Sequence, residues 1–435
     1  MRVTLSFSLE NTSKIKQQLL LWSQQFHEVV WLDSNHYQAN YSNYDAILAV
    51  DALTILQTDT QNAFQKLEEY QKTTNDWIFG YLSYDLKNAV EDLKSENFDG
   101  LQFPELYFMQ PKKLFFLKGN TLEVSYLSFV EDELQEDVFA IMNTKIDAEI
   151  FTHSHSNKEH RPKIKLRIHK DEYHEKVNKL LAHIHRGDIY EANFCQEFYA
   201  ENAEIDPLST YTHLNAISKP PFATYMRLND KYILSASPER YLKKEGTKVI
   251  SQPIKGTAKR SDDAELDAQM AENLRTDEKE RAENIMIVDL VRNDLSKTGV
   301  KGSVNVEELC KIYTFDQVHQ MISTVVSEVT ETQNPIEILE TTFPMGSMTG
   351  APKISAMNII ENLEETKRGI YSGAIGYFTP TNDFDFNVVI RTILYNRTKK
   401  YVSYSVGGAI TAKSIPEKEY EECLLKAKAM REALE

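Results

Sequence analysis

The chain has 435 residues and a formal net charge of −16. This length allows a large hydrophobic core and two or more subdomains. With 41% hydrophobic and 26% charged residues, the composition is typical of a globular protein in water. The acidic balance argues against nucleic acid and against an anionic membrane surface as partners. An anionic substrate would need a local group of basic side chains or a metal ion.

The cysteines and the apolar segments indicate a cellular compartment. Cys195, Cys310 and Cys423 are far apart and form no C-x-x-C pair, which is typical of small core residues in a reducing environment. The first residues lack the pattern of a signal peptide, and no segment approaches the ~20 apolar residues of a membrane span. We therefore expect a cytoplasmic protein.

Residues 1–152 form the predicted N-terminal region, which contains strands and an amphipathic helix. Apolar runs at 28–32 and 46–50 predict buried strands, and the pattern at 58–72 predicts the helix. Residues 153–165 are polar and include His153, His155 and His160, but no acidic or cysteine ligands accompany them at a fixed spacing. We therefore expect a solvated linker at 153–165, followed by a catalytic domain at 166–435.

The region 166–435 has clearer helix and strand signals. A helix at 171–186 ends at Gly187, and a long helix at 276–296 begins at Thr276 or Asp277 as N-cap. The last helix begins at Ser414, with Glu417 completing a capping box. Because the strands follow one another in hairpin-like runs, we expect an α+β fold with largely antiparallel sheets. The other predicted elements are a helix at 352–363 and strands at 188–199, 232–235, 248–252, 373–378, 386–395 and 401–406.

Lys255 lies in a short segment, Pro-Ile-Lys-Gly-Thr at 253–257, between a predicted strand and a charged helix. We predict a loop there. A buried lysine either serves as a cation for an anionic ligand or, when its pKa is lowered, acts as a nucleophile. A lone lysine before glycine is weak evidence, and a solvated loop cation is the plain alternative.

Two helices carry pairs of glutamates three residues apart. Glu280 and Glu283 share one helix face, and Glu419 and Glu422 share another. Two such faces across a cleft would make an oxygen-rich site suited to Mg²⁺, which takes one or two carboxylates and keeps water at other positions. By spacing alone, two solvated acidic faces explain the pattern equally simply.

Arg391 lies in a predicted strand of nearly all apolar residues, where an arginine is costly unless it meets an acid. Its guanidinium fits a carboxylate ligand, and a structural ion pair is the alternative. Glu239 follows Pro238 at a strand-to-loop corner. It is either a general acid with a raised pKa or a turn residue.

Taken together, these segments resemble the chorismate-utilising enzymes. The resemblance runs from about Gly187 to the C-terminus, and it implies a large fold of two subdomains, with antiparallel sheets packed face to face and covered by helices. The residues that carry it are GDIYEAN at 187–193, SPER at 237–240, PIKGT at 253–257, RAENIMIVDLVRND at 281–294, TGAPK at 349–353, Arg391-Thr392 and EYEE at 419–422.

The resemblance implies a ligand set for Mg²⁺ and for chorismate. Glu283 and Glu422 would hold the metal directly and Glu280 and Glu419 through water, so that the metal grips the ring carboxylate. The enolpyruvyl carboxylate would be held by Arg391 and Tyr371, with help from Ser347, Gly408 and Lys426. His319 would lie beside the ring, and Thr257 would complete the substrate site.

The resemblance also implies a reaction. Members that make anthranilate carry alanine at the position of Lys255, whereas members that make 4-amino-4-deoxychorismate carry lysine. In the second group, the lysine amine attacks C2 while Glu239 protonates the departing C4 hydroxyl, and ammonia then attacks C4. The chain has no cysteine in a Gly-x-Cys-x-Gly elbow, so ammonia is expected from a separate glutamine amidotransferase.

Glu191 departs from the family pattern, in which the closest members have glutamine and water-activating members have lysine. An extra carboxylate here would either act as a base for ammonium or pair with Lys255. Two alternatives to the amination at C4 stay open. One is anthranilate formation, and the other is a catalytically silent subunit that binds the amidotransferase, which predicts losses among the metal and carboxylate positions.

Overall fold

The computed structural model describes residues 1–37, 41–146, 150–151 and 161–435. The described chain contains both helices and antiparallel strands. The strands are β1 Arg2–Ser8, β2 Glu28–Asp33, β3 Ala46–Thr58, β4 Ile78–Leu82, β5 Leu106–Lys118, β6 Thr121–Leu127, β7 Lys165–Leu166, β8 Glu191–Ala200, β9 Phe222–Leu228, β10 Lys231–Ser237, β11 Arg240–Glu245, β12 Lys248–Gln252, β13 Ile254–Lys259, β14 Asn305–Thr314, β15 Val318–Glu328, β16 Gly350–Ala351, β17 Ala374–Phe378, β18 Phe384–Val388, β19 Thr392–Asn396 and β20 Tyr401–Thr411.

The helices lie mainly on the outside of the strands. They are α1 Thr12–Ser23, α2 Ala63–Thr74, α3 Lys87–Val90, α4 Leu134–Asn143, α5 Lys170–Arg186, α6 Pro207–Ser218, α7 Ala264–Thr276, α8 Glu278–Ser296, α9 Pro335–Thr342, α10 Lys353–Leu363 and α11 Pro416–Leu434, with 3-10 turns at Tyr84–Leu86, Ser128–Glu133 and Gly346–Met348. None of the helices in the described ranges is long and apolar enough to cross a membrane.

The strands form one hydrogen-bonded network with two arms, which share the antiparallel pair of β3 and β5. The first arm runs β1–β6–β5–β3–β2–β9–β10–β19–β20–β8. The second arm runs β3–β5–β4–β17–β18–β11–β12–β15–β14, and β13 also pairs with β15. The register of β3 against β5 shifts between Ala52 and Thr54, where the two arms diverge.

The arms pack face to face around a buried cluster to which both contribute. Val30 and Met226 come from the first arm, and Phe79, Ile375 and Tyr377 come from the second. Helices α1, α4, α6 and α11 cover the outer face of the first arm, while α2, α8 and α9 cover that of the second. The predicted fold class, antiparallel sheets packed face to face and covered by helices, is confirmed.

Strands from the predicted N-terminal region pair with strands from the C-terminal region in both arms. β2 pairs with β9, and β4 pairs with β17. The division into 1–152, 153–165 and 166–435 stays a prediction, because residues 153–160 of the linker, including His153, His155 and His160, lie outside the described residues.

Local sequence signals placed most elements correctly and two helix starts wrongly. Helix α8 begins after Asp277, whose side chain accepts the N–H groups of Lys279 and Glu280, as expected of an N-cap. The helix predicted from 58 begins at Ala63, because β3 continues through Thr58. The capping box at Ser414 does not form. Helix α11 begins at Pro416, and the Ser414 hydroxyl oxygen instead accepts the N–H of Thr411 at 3.1 Å.

Candidate active site

Lys255 lies in a bulged strand, which corrects the predicted loop. The pairing of β13 with β15 shifts between Ile254 and Thr257, so Lys255 and Gly256 bulge out of the regular ladder. Gly256 has φ of 91°, and a Cβ there would lie 3.2 Å from Oε2 of Glu280. Glycine therefore permits both the left-handed backbone and the close approach of helix α8 to the Lys255 segment.

The Lys255 ammonium is surrounded by carboxylates. Its side chain is 14% exposed, and Nζ lies 3.4 Å from Oε1 of Glu191 on strand β8. Burial alone would lower the pKa of Lys255, but the charges of Glu191, Glu283 and Glu239 outweigh it, and the pKa lies above its ordinary value. The lowered pKa required of a nucleophilic lysine is therefore not present in the metal-free arrangement.

Glu239 lies at the corner between β10 and β11 and is 4% exposed. Burial raises its pKa to about 7, although the Ser347 hydroxyl and the charges of Lys255 and Arg391 oppose this shift. A carboxyl with a pKa near neutrality is suited to donate a proton at neutral pH. The interpretation of Glu239 as a turn residue does not account for this burial beside Lys255.

Two carboxylate oxygens at the site have no hydrogen-bond partner among the described residues. They are Oε2 of Glu191 and Oε1 of Glu283. Glu191 is 1% exposed, so its free oxygen is also withheld from solvent. Buried polar atoms without partners are costly, and at a cleft they indicate a place for a ligand, an ion or water.

Two of the four predicted metal-binding glutamates, Glu419 and Glu422, lie beside Gly408, and Glu280 lies beside Gly256. A Cβ on Gly408 would lie 3.6 Å from Oε2 of Glu419 and 3.8 Å from Oε1 of Glu422. Burial raises the pKa of Glu280 and of Glu419 above their ordinary values and raises that of Glu283 to about 7. Carboxylates that favour their protonated form in the absence of a cation are suited to receive one.

Lysines lie among these glutamates. Nζ of Lys426 lies 2.8 Å from Oε1 of Glu422, and Nζ of Lys279 lies 3.8 Å from Oε1 of Glu283. Despite burial, the Lys426 ammonium holds the pKa of Glu422 below its ordinary value. Within the described ranges, no three His, Cys, Asp or Glu side chains are already gathered as a ligand set. Since Mg²⁺ needs only one or two protein carboxylates, the donors present still fit it.

Arg391 lies between two strands, which corrects the single strand predicted at 386–395. Strand β18 ends at Val388, β19 begins at Thr392, and Arg391 between them has φ of 52°. Its guanidinium makes no ion pair or hydrogen bond with any other described residue. Burial lowers its pKa, opposed by the charge of Glu239. The structural ion pair is therefore absent within the described residues.

The remaining predicted substrate residues, Tyr371, Ser347, His319 and Thr257, differ in their burial and in their contacts. Tyr371 is buried, and its hydroxyl lies 3.8 Å from Sγ of Cys195. Ser347 is buried in the 3-10 turn near Glu239. His319 is 2% exposed, and its ring nitrogens contact Asp267 and Thr314 at 3.0 Å each. Thr257, on the bulged strand, is exposed.

Sequence reasoning missed an ion pair that supports the site. Arg368 donates to Glu364 at 2.7 and 2.9 Å, and to the carbonyl oxygens of Asn193 and Met348 at 2.6 Å each. Oε1 of Glu364 also accepts the N–H of Cys195 at 2.9 Å. The pair thus fixes β8, which carries Glu191, against the turn that carries Ser347. The spacing of an acid and a base four residues apart was its only signal in the sequence.

The chain is similar in sequence to several known proteins. The chain is 40% identical over 264 residues to aminodeoxychorismate synthase component 1 of Salmonella typhimurium, which covers 61% of this chain and 58% of that protein. It is 31% identical to aminodeoxychorismate synthase component 1 of Bacillus subtilis, over 87% of this chain and 80% of that protein. It is 32% identical to anthranilate synthase component 1 of Thermus thermophilus, over 82% of this chain and 77% of that protein.

The fold is also shared with solved structures. Anthranilate synthase component I from Streptococcus pneumoniae superposes with a TM-score of 0.76 at 23% identity, over 91% of this chain and 93% of that one. The model of the family described as chorismate binding enzyme matches residues 20–432, nearly the whole sequence. This chain therefore belongs to the chorismate binding enzyme family.

Proposed function

We propose that this protein is the chorismate-aminating component of an aminodeoxychorismate synthase, which converts chorismate and ammonia to 4-amino-4-deoxychorismate for 4-aminobenzoate and folate synthesis. The observation that carries the proposal is the mostly buried Lys255, which interacts with Glu191 and with Glu239, whose pKa is about 7. The names of the Salmonella typhimurium and Bacillus subtilis relatives support the same reaction.

In the proposed reaction, the neutral amine of Lys255 forms a bond to C2 of the chorismate ring. Both conjugated ring double bonds shift by one position, and the C4–O bond breaks as Glu239 gives its proton to the departing hydroxyl, which leaves as water. Ammonia then bonds to C4, both double bonds shift back, and the C2–N bond returns its electron pair to Lys255. The Glu239 carboxylate takes a proton from the new C4 ammonium, so protons and electrons balance.

Lys255 must lose its proton before it attacks. Glu191 lies 3.4 Å from the ammonium and carries a free buried oxygen, so it is placed either to hold that proton or to pair with the lysine. Of the three carboxylates that raise the pKa of Lys255, Glu283 is also a proposed metal ligand. A cation bound at Glu283 would offset the charge of this carboxylate and would therefore lower the pKa of Lys255.

Glu283 and Glu422 would hold Mg²⁺, with Glu280 and Glu419 acting through water. When bound, the ion would supply a positive charge to the ring carboxylate of chorismate. Arg391 and Tyr371 would hold the enolpyruvyl carboxylate, and Arg391 is free of other partners among the described residues. Ser347, Gly408, Lys426, His319 and Thr257 would complete the substrate site. Lys426 would have to leave Glu422 when the metal binds.

The ammonia would come from a glutamine amidotransferase, since the chain carries no nucleophile elbow of that kind. Anthranilate formation is the second candidate, because the Thermus thermophilus relative is an anthranilate synthase component 1. The lysine at 255 favours amination at C4, since direct attack of ammonia on C2 has no use for a second nucleophile at this place.

Product analysis tests the proposal directly. Purified protein with chorismate, Mg²⁺ and ammonium is expected to yield 4-amino-4-deoxychorismate by mass spectrometry, and 4-aminobenzoate once a lyase is added. Anthranilate as the product would establish the second candidate instead. Calorimetry is expected to show chorismate binding that depends on Mg²⁺ and is lost in Glu283→Gln, and binding that ignores Mg²⁺ would contradict the metal assignment.

A further inference from the structure

Asn284, which follows Glu283 on helix α8, joins this helix to strands β14 and β15 by a buried hydrogen-bond network. The residue is 1% exposed. Its Nδ2 donates to the carbonyl oxygen of Met321 at 3.2 Å, and its Oδ1 accepts the hydroxyl of Ser323. Sγ of Cys310 lies 3.7 Å from the same Oδ1. Both polar groups of the carboxamide therefore have their partners in the sheet.

The network continues from β15 to the segment that carries the proposed nucleophile. The backbone N–H of Ser323 donates to the carbonyl oxygen of Pro253 at 3.2 Å, and Pro253 lies two residues before Lys255. Ser323 thus contacts Asn284 through its hydroxyl and the Lys255 segment through its backbone. The helix that carries Glu283 and the strand that carries Lys255 are attached to the same residue.

Apolar packing also holds helix α8 on the sheet, but it is not directional. Ile287 and Val291 of α8 belong to one buried cluster with Val325 of β15. Such contacts depend mainly on the area removed from water, so they tolerate small rotations of a helix about its axis. Hydrogen bonds weaken steeply when the donor and acceptor move out of line. The bonds of Asn284 therefore restrain the rotation of α8 in a way that the apolar contacts do not.

We propose that Asn284 is a positioning residue for the metal site, which fixes Glu280 and Glu283 relative to the Lys255 segment through its bonds to β15. The inference rests on the proposed function, in which Glu283 holds Mg²⁺ directly. Asn284 follows Glu283 and lies one turn after Glu280, so its bonds restrain the backbone that carries both carboxylates. Oε1 of Glu283 has no hydrogen-bond partner among the described residues, so no such bond holds this oxygen in place.

Calorimetric titration with Mg²⁺, without substrate, tests the inference. Asn284→Leu keeps a branched side chain but removes its hydrogen bonds. We expect the Kd for Mg²⁺ to rise about tenfold, as is typical when a residue that orients a metal ligand is replaced. The Mg²⁺ concentration that gives half-maximal activity should rise by the same factor. At saturating Mg²⁺, kcat and KM for chorismate should stay within about threefold of the wild type, because the bond from Ser323 to Pro253 is kept.

Two further variants separate position from stability. Asn396 on β19 is 2% exposed, and its side chain bonds the carbonyl oxygen of Leu101 at 2.8 Å and the N–H of Lys399 at 3.0 Å. Asn396→Leu is thus the same change in the other arm of the sheet, and it should lower stability without changing the Kd for Mg²⁺. Ser323→Ala should raise this Kd about threefold. It should add little to Asn284→Leu, because both break the same bond.

Two results would overturn the inference. A folded Asn284→Leu protein with the Mg²⁺ affinity of the wild type would mean that the glutamates keep their positions without Asn284. An equal loss of affinity in Asn396→Leu would mean that lower stability by itself weakens metal binding. Thermal unfolding checks that each variant is folded, and Ser323→Ala carries the test if Asn284→Leu is not. A wild-type protein that neither binds Mg²⁺ nor needs it for activity would instead contradict the metal assignment in the proposed function.

Discussion

Two arginines, Arg368 and Arg391, meet opposite surroundings within the same C-terminal region. Arg368 is 5% exposed and makes ion pairs and hydrogen bonds to Glu364 and to two carbonyl oxygens. Arg391 makes none with the described residues, although burial lowers its pKa. A partly buried cation gains from a partner, and the Arg391 guanidinium, unpaired among the described residues, is available to an anionic ligand.

The acids divide in the same way. Glu364 accepts hydrogen bonds on both oxygens, from Arg368 and from the Cys195 N–H. Among the described residues, Glu191 and Glu283 each keep one buried oxygen without a hydrogen-bond partner, and the pKa of Glu239 is raised to about 7. Burial alone therefore does not mark a functional charge in this protein. The site residues differ from the structural pair Arg368–Glu364 in whether the buried charge already has its hydrogen-bond and ion-pair partners within the protein.

Replacement of Lys255 should have the largest effect. Lys255→Ala removes the proposed nucleophile, and formation of 4-amino-4-deoxychorismate is expected to fall by about 10³-fold or more. Mass spectrometry of the protein quenched during turnover should show a chorismate-derived adduct on the wild type and none on the variant. Full activity in Lys255→Ala, or turnover without a trapped adduct, would refute covalent catalysis.

Replacement of Arg368 should mainly affect stability. Arg368→Met leaves Glu364 buried without its partner, and the free energy of unfolding is expected to fall by about 3–5 kcal/mol. Urea denaturation measures the loss. The double variant Arg368→Met/Glu364→Met should recover much of it, because both charges are then gone. If Arg368→Met is as stable as the wild type, Arg368 is not the structural arginine that this comparison with Arg391 requires.

Replacement of Arg391 should mainly affect substrate binding. Arg391→Met is expected to raise KM for chorismate about 10²-fold, since a charge-assisted contact with a carboxylate is lost. Unfolding free energy should stay within about 1 kcal/mol of the wild type, because no contact within the described chain is broken. Arg391→Lys is the matched control and should recover part of the affinity. A large loss of stability would show that Arg391 is structural.

The pH dependence of stability should reveal Glu239. Its pKa is about 7 in the folded protein against 4.5 ordinarily, so between these values the folded state binds more protons than the unfolded state. Its contribution therefore favours folding at low pH and is lost as the pH rises toward 7. Urea denaturation of the metal-free protein at several pH values measures how the free energy of unfolding falls as the pH rises. This fall should be smaller in Glu239→Gln than in the wild type. Part of the decline should persist, because Glu283 also has a pKa of about 7. An unchanged slope would contradict the raised pKa.

The smallest change is expected at Glu191. Glu191→Gln removes one of the carboxylates that raise the pKa of Lys255, so the pH–rate profile for adduct formation without ammonia should move to lower pH, with about a threefold faster rate at pH 7. If the carboxylate is instead the base for ammonium, adduct formation will be unchanged and only its reaction with ammonia will slow. Stopped-flow mixing with and without ammonium separates these two outcomes.

Much of the scaffold was predictable from local patterns. The helix that carries Glu280 and Glu283, its cap at Asp277 and the end of α5 at Gly187 follow from hydrogen bonds between near neighbours. Competing local signals misled at the start of α11, where Pro416 and not Ser414 begins the helix. The hairpin-like order of the strands predicted the antiparallel sheets, although not the pairing of β3 with β5, which are distant in the sequence.

The sequence by itself determined which residue types were available: a lysine before glycine, two pairs of glutamates, and an arginine in an apolar segment. The tertiary structure decided what surrounds them. It brought Glu191 to 3.4 Å from Lys255, a sequence separation of 64 residues, and it left Arg391 without a partner in the described chain. It also set the direction of the Lys255 pKa shift, because a pKa depends on burial and on charges from distant segments, which no local pattern contains.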